Sequence, residues 1–244
     1  IPELGKMSQE ELQASDLDFL IEYKEFIEND LFLYSIWNIN KGDNNSHFGH
    51  FPKVFMKNLL HRHTKPFDLV YDPFAGSGTT IDACREMFRQ CIVSDLNPDK
   101  SRPEIFKHDI TEGLPKNLPK PDLVFLDPPY WKQAEGKYSD NENDLGNMPL
   151  ERFYEVMDNL FSEIYNRKIN KIALVISPTQ YANNLVFEDH LSKFIIMLRD
   201  KYEIEMHYFL PYSTQQYNGT QVERAKNENV CLSLNRDLVV WRMK

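Results

Sequence analysis

The chain has 244 residues, with 37 acidic and 28 basic side chains and a net charge of -9. That length and a hydrophobic content of 41% suit one domain with a full core, and no apolar run of the roughly 18 residues needed for a membrane-spanning helix is present. The acidic total argues against a broad basic nucleic-acid footprint, yet residues 1–40 hold nine acids and two lysines, so the remaining 204 residues sum to only -2. Cys84, Cys91 and Cys231 lack metal-ligand spacing, no other metal set is apparent, and the opening residues show no signal-peptide pattern. A reduced, cytoplasmic protein with no membrane partner is the expectation.

Residues 8–32 read as helix. Ser8 with Glu11 three positions on resembles a capping box, and Phe19, Leu20, Tyr23, Phe26 and Ile27 recur at helical spacing. A polar loop at residues 41–46 separates this helical N-terminal extension, residues 1–44, from a catalytic region, residues 45–244. Residues 47–63 begin as a turn, Phe48-Gly49-His50-Phe51-Pro52, and continue as helix. Strands are expected at 69–71, 91–94, 105–108 and 123–126, and helices at 79–90 and 151–169. A strand at 171–176, a helix at 190–201 and strands at 203–210 and 232–243 complete the pattern. Alternating strands and helices predict an α/β fold with a doubly wound, mostly parallel sheet. The last two strands form an antiparallel pair, and the active loops gather at the carboxyl edge.

Two loops interrupt this pattern with unusual chemistry. Asp72-Pro73-Phe74-Ala75-Gly76-Ser77-Gly78-Thr79-Thr80 lies between a strand and a helix. Its glycines permit positive φ and close approach of a ligand to the backbone. It lacks the lysine of a phosphate-cradling loop and the third glycine of a dinucleotide fingerprint, so a nucleoside without a pyrophosphate fits better. The helix amides after Gly78 suit a carboxylate. Asp95 ends the next strand, where an acid accepts ribose hydroxyls in nucleotide-binding sheets. Asp127-Pro128-Pro129-Tyr130 follows the apolar run 123–126. Two prolines fix two φ angles and remove two amide donors, which leaves a stiff loop with free acceptors beside an aromatic ring. A rigid turn is the alternative for this tetrad, a tight turn for the glycine loop, and a solvated turn for Asp95 and for Asp109.

These two motifs, in this order, resemble the S-adenosylmethionine-dependent amino-methyltransferases of DNA, which methylate N6 of adenine or N4 of cytosine. The resemblance covers residues 45–129, with a looser match near the C-terminus. It implies a Rossmann-like class I methyltransferase fold, S-adenosyl-L-methionine as cofactor and S-adenosylhomocysteine as product. It implies cofactor contacts from Phe51, Asp72, Phe74, Gly76, Gly78, Thr79 and Asp95, with Asp109 meeting the adenine amino group. It implies direct in-line methyl transfer to a base flipped out of DNA. Asp127 and the Pro128 carbonyl take the two amino hydrogens on the stiff Pro128-Pro129 turn, and Tyr130 stacks on the base. Trp131 stacks too or walls the pocket. Asp at position 127 leans toward adenine.

Two polar stretches are candidates for target reading, and solvated loops are the alternative for both. Residues 132–149 include Lys132, Lys137 and Tyr138; residues 212–228 include Arg224 and Lys226. Neither has the size of a separate recognition domain, so a homodimer or a specificity partner is also open. Other readings of the tetrad are cytosine N4 methylation in DNA, amino-methylation of an RNA base, and a non-catalytic methyltransferase-like subunit.

Overall fold

The computed structural model describes residues 23–38, 51–132, 140–180, 187–211 and 219–244. The elements in order are α1 (Lys53–His63), β1 (Leu69–Asp72), α2 (Thr79–Glu86), β2 (Gln90–Asp95), β3 (Phe106–Lys107), a 3-10 turn (Ile110–Glu112) and β4 (Leu123–Leu126). They continue with α3 (Leu150–Asn166), β5 (Lys171–Ile176), β6 (Thr179–Gln180), β7 (Phe187–Glu188), α4 (His190–Leu198), β8 (Tyr202–Pro211), α5 (Gly219–Asn227) and β9 (Asn235–Met243).

Seven strands form one sheet in the order β3-β2-β1-β4-β5-β9-β8. The first five run parallel, and β9 is antiparallel to both β5 and β8. This is a doubly wound, mostly parallel α/β sheet with an antiparallel C-terminal pair. The chain builds outward from β1 to β3 and then returns to lay β4 on the other side of β1. The ends of β1 and β4 therefore flank the topological switch point, where open α/β sheets bind ligands.

Strand alternation sorts the core into two layers. Tyr71, Val124, Leu126, Ile172, Leu174, Val239 and Trp241 face α3 and α4. Val70, Leu123, Phe125, Ala173, Val175, Leu238 and Val240 face α1 and α2. Burial on both sides explains why β4 and β5 read as continuous apolar runs. Helix α3 holds Phe153, Val156, Met157, Leu160, Phe161 and Ile164 on its buried stripe.

The second layer also takes in residues from before the sheet. Residues 23–29 are helical. Phe26 and Trp37 are fully buried with α1, and Asn58 ties the chain down by accepting from the Phe32 amide at 2.8 Å and donating to Asp30 O at 2.9 Å. Residues 35–37 then lie along β8: Ile36 bridges Phe209 in parallel, Phe209 N donates to Ser35 O at 2.8 Å, and Trp37 N donates to Phe209 O at 2.9 Å. The described part of the expected extension thus shares the core of the sheet.

Strand β8 carries a register shift between Ile204 and Met206. Glu205, between them, meets His63 Nδ1 at 2.7 Å and Lys171 Nζ at 3.1 Å, and His63 Nε2 meets the Tyr208 hydroxyl at 2.8 Å. This cluster sits where β5 begins, at the opposite end of the sheet from the switch point. Among the described residues no helix is long and apolar enough to cross a membrane.

Several boundaries differ from the sequence reading. Helix α2 stops at Glu86 rather than 90, because Phe88 takes a positive φ of 56° that turns the chain into β2. The stretch 212–228, read as loop, contains α5, supported by Arg224–Glu228 at i,i+4 and Lys226–Glu223 at i,i+3. The two-residue strands β6 and β7 were not expected; their partner is local and antiparallel.

Candidate active site

The glycine loop is organised by the aspartate that opens it. Asp72 is buried at the end of β1; one oxygen accepts from the Phe74 amide at 2.8 Å and the other from the Thr80 hydroxyl at 2.5 Å. Burial pushes its carboxyl up to about 7 against those two hydrogen bonds, and the nearby Asp127 and Asp95 charges add to the rise. Asp72 is thus a clamp across the loop. Phe74 is half-buried against the α3 layer.

Gly76 and Gly78 have φ of 50° and 86°, the left-handed region that favours glycine. At Gly76 an added Cβ would meet nothing within 4 Å, so the backbone there opens onto free space. Gly78 caps α2, and the Arg102 guanidinium would lie 2.9 Å from a Cβ there. Arg102 is held by Asp82 through contacts of 2.9 and 3.2 Å. Thr79 begins α2 and is half-buried.

Asp95 ends β2 and is half-buried. One oxygen accepts from Gly76 N at 2.9 Å, the other from Asn97 N at 2.8 Å. A carboxylate has about four acceptor sites, so each oxygen keeps capacity for a hydroxyl. Asp109 follows β3 and caps the 3-10 turn: Oδ1 accepts from the Thr111 amide and hydroxyl at 2.9 and 2.7 Å, and Oδ2 accepts from Asn143 Nδ2 at 2.7 Å. The donor set at the ends of β1, β2 and β3 is thus an open glycine backbone with two acids anchored by amides. That set fits a nucleoside with a free ribose and an amino group.

Phe51 departs from the expected role. Its ring is 5% exposed, 5.9 Å from Phe55 and 5.2 Å from Phe125. A ring enclosed in the α1–β4 core cannot lie over a ligand face; it backs β4 instead.

Asp127 follows β4, across the switch point from Asp72. It is half-buried, and the Tyr130 hydroxyl donates to Oδ1 at 3.0 Å. Burial raises its carboxyl to about 6, while the Arg236 guanidinium and the Tyr130 bond pull the other way. Pro128 is buried and Pro129 half-buried. Tyr130 is half-buried between the two core layers. Trp131 is 3% exposed and its indole N–H donates to Met148 O at 2.7 Å. Of the two roles open to it, the wall fits and base stacking does not, because the ring has almost no free surface.

Lys132 has a φ of 60°, and its amide donates to Gly146 O at 3.2 Å. Leu145 and Met148 are core residues, and residues 143–148 form a packed bridge from the Asp127 loop to Asp109, while 140–142 and 149 stay exposed. Lys137 and Tyr138 lie outside the described residues, as do 212–218. Arg224 and Lys226 stand on α5 and pair with Glu228 and Glu223, each at 2.6 Å.

Sequence reasoning missed Thr80, Arg102, Thr179, His190 and Arg236, and it read Asn143 only as a polar residue of the 132–149 stretch, without its bond to Asp109. Thr80 stood in the quoted motif without a role. The others act through contacts between distant segments, for which a single sequence gives no signal.

A family model described as DNA methylase matches residues 9–105. The type II methyltransferase M.XycI of Xanthomonas campestris pv. cyanopsidis is 41% identical over 66 residues, which is 27% of this chain and 22% of that protein. The type II methyltransferase M.Cfr9I of Citrobacter freundii is 39% identical over 66 residues, with the same shares. The match thus spans about a fifth of the length of these curated relatives. Among solved structures, the Burkholderia thailandensis 1,6-didemethyltoxoflavin-N1-methyltransferase with bound S-adenosylhomocysteine is 9% identical, with a TM-score of 0.49 over 95% of this chain and 89% of that one. Over the matched residues, a segment of this chain is thus similar to DNA methylases and to type II methyltransferases.

Proposed function

We propose that the protein transfers a methyl group from S-adenosyl-L-methionine to the exocyclic amino group of a DNA base, with adenine N6 as the target. The observation that carries this reading is the placement of Asp127, on a two-proline turn, directly across the switch point from the glycine loop.

When bound, the cofactor supplies an electrophilic sulfonium methyl group. Gly76, Asp95 and Asp109 are the residues that hold it. The amino nitrogen of a base is a weak nucleophile, because its lone pair is delocalised into the ring. Asp127 accepts one amino hydrogen and the Pro128 carbonyl the other. These two bonds localise the lone pair and aim it. Catalysis is therefore positioning and electrostatics, with no enzyme nucleophile. Asp127 must be ionised to accept well. Arg236 and Tyr130 favour that form against the cost of burial.

A base inside a duplex cannot enter such a pocket, so the target nucleotide leaves the stack. Tyr130, half-exposed beside Asp127, is the ring on which it rests. The names of the relatives carry the type II designation, which suits a partner to a restriction enzyme. A DNA substrate is the expected partner, with a second copy or a specificity subunit as further candidates. Arg224 and Lys226 can meet phosphate only if their pairs with Glu228 and Glu223 open.

The test is radiolabelled methyl transfer to unmethylated genomic DNA and to total RNA, with Asp127→Ala as control and nucleoside analysis of the product. N6-methyladenine in DNA, lost in the variant, supports the proposal. N4-methylcytosine keeps the mechanism and changes the base, and label only in RNA overturns the choice of DNA.

A further inference from the structure

The loop that carries Asp127 ends at Trp131, and the carbonyl of Trp131 is the first acceptor in a chain of buried polar groups. The Thr179 hydroxyl lies 2.7 Å from Trp131 O and 2.9 Å from His190 Nε2. His190 Nδ1 lies 2.9 Å from the Tyr154 hydroxyl, which donates to Glu188 Oε1 at 2.6 Å. The links come from β6, the start of α4, α3 and β7, and Thr179 stands directly opposite Glu188 in the β6–β7 pair. Thr179 and His190 are fully buried, and the His190 ring is enclosed by Trp131, Phe153 and Tyr154. The charged groups facing His190 are Glu188 and Asp189; Asp189 is occupied as the cap of α4, accepting from Ser192 N at 3.1 Å.

An ionised Glu188 takes the Tyr154 proton, because a hydrogen bond to a full charge is the stronger choice. Tyr154 then accepts from Nδ1–H, so a neutral His190 has a bare Nε2. Thr179 has one proton and two claimants: Nε2 and the Trp131 carbonyl. One more proton anywhere in the chain resolves the conflict, since Nε2–H then donates to Thr179 and Thr179 to Trp131 O. Burial holds the His190 imidazole down to about 4, so at neutral pH the chain is one proton short.

We propose that Thr179, His190, Tyr154 and Glu188 are positioning residues that hold the Asp127–Trp131 loop through the Trp131 carbonyl, and that the hold tightens when this relay gains one proton. The inference rests on reading that loop as the reaction centre. Its geometry stands apart from that reading. Glu188→Gln is the informative change: a side-chain amide donates to Tyr154, Tyr154 to Nδ1, Nε2–H to Thr179 and Thr179 to Trp131 O, with no added charge.

The experiment is nitrogen-15 NMR of histidine-labelled full chain at pH 8, with His190 assigned by its loss in His190→Gln. It is paired with methyl-transfer kinetics of E188Q, T179S and T179V. The expected result is an Nδ1–H tautomer in the parent and an Nε2–H tautomer in E188Q. E188Q raises kcat above that of the parent, and a lower kcat in E188Q counts against the tightening. T179V lowers kcat about tenfold with the KM for S-adenosylmethionine within twofold, and T179S restores it. The same tautomer in parent and E188Q overturns the proposal, and so does a T179V enzyme with parental kcat. If the parent methylates no nucleic acid, the reaction-centre reading fails, and the tautomer comparison still decides the relay.

Discussion

Asn143 Nδ2 lies 2.7 Å from Asp109 Oδ2, joining the bridge after the Asp127 loop to the acid that follows β3. The contact ties the expected cofactor end of the site to the expected base end through one hydrogen bond. Asn143→Ala frees that oxygen and loosens the bridge. A hydrogen bond to a charged group is worth about 1.5–3 kcal/mol, so the variant should bind S-adenosylmethionine about tenfold more weakly by calorimetry. Unchanged affinity would show that Asp109 is held by Thr111 alone.

Asp127→Asn keeps the shape of the side chain and removes its charge. Methyl transfer should fall at least about a hundredfold, with cofactor affinity within twofold. A variant with a tenth of parental kcat would remove Asp127 from the reaction centre.

The raised carboxyl of Asp127 sets a pH limb for activity. A group held at about 6 is protonated below that pH and then accepts poorly, so kcat should fall as pH drops through 6. Tyr130→Phe removes a bond that favours the ionised form. The midpoint of the limb should therefore move upward in this variant. A limb that moves down, or stays in place, contradicts the assignment.

Asp72 gives a stability signature of opposite kind to most surface acids. Its folded carboxyl is raised from the usual 3.8 to about 7, so the folded state binds more protons than the unfolded state between those values. Stability must then fall as pH rises from about 4 to 7 and level off above. Asp72→Asn can still accept from Phe74 N and donate to Thr80. It should abolish this slope and melt no lower than the parent at pH 8, as urea titrations at several pH values would show.

How much of this was legible in sequence follows from the range of each interaction. The apolar run 123–126 and the stripe Phe153, Val156, Leu160 and Ile164 announce a buried strand and an amphipathic helix, because burial acts at every turn or pleat. The two motif loops stand out because proline and glycine limit the backbone locally. The Phe51 ring was misplaced because a residue just before a helix can face a pocket or a core, and only Phe55 and Phe125 decide which. Helix α5 was hidden by its polarity: Gln221, Glu223, Arg224 and Lys226 suit a base edge, a phosphate or an i,i+4 lattice equally well. The contacts of Asn143 and His190 span 34 and 36 residues to Asp109 and Tyr154, and no periodicity reaches that far.

The bridge of Ile36 to Phe209 on β8 has a consequence for dissection of the protein. Without it, the amide and carbonyl of Phe209 would be bare on the outer edge of β8, a strand whose Ile204 and Phe209 are 47% and 43% exposed. Such an edge invites another chain to pair with it. A truncation that begins after residue 38 removes both this cover and the buried Phe26 and Trp37. Its expected fate is self-association rather than a smaller working enzyme, so the segment before the motifs acts as the guard rail of the sheet they stand on.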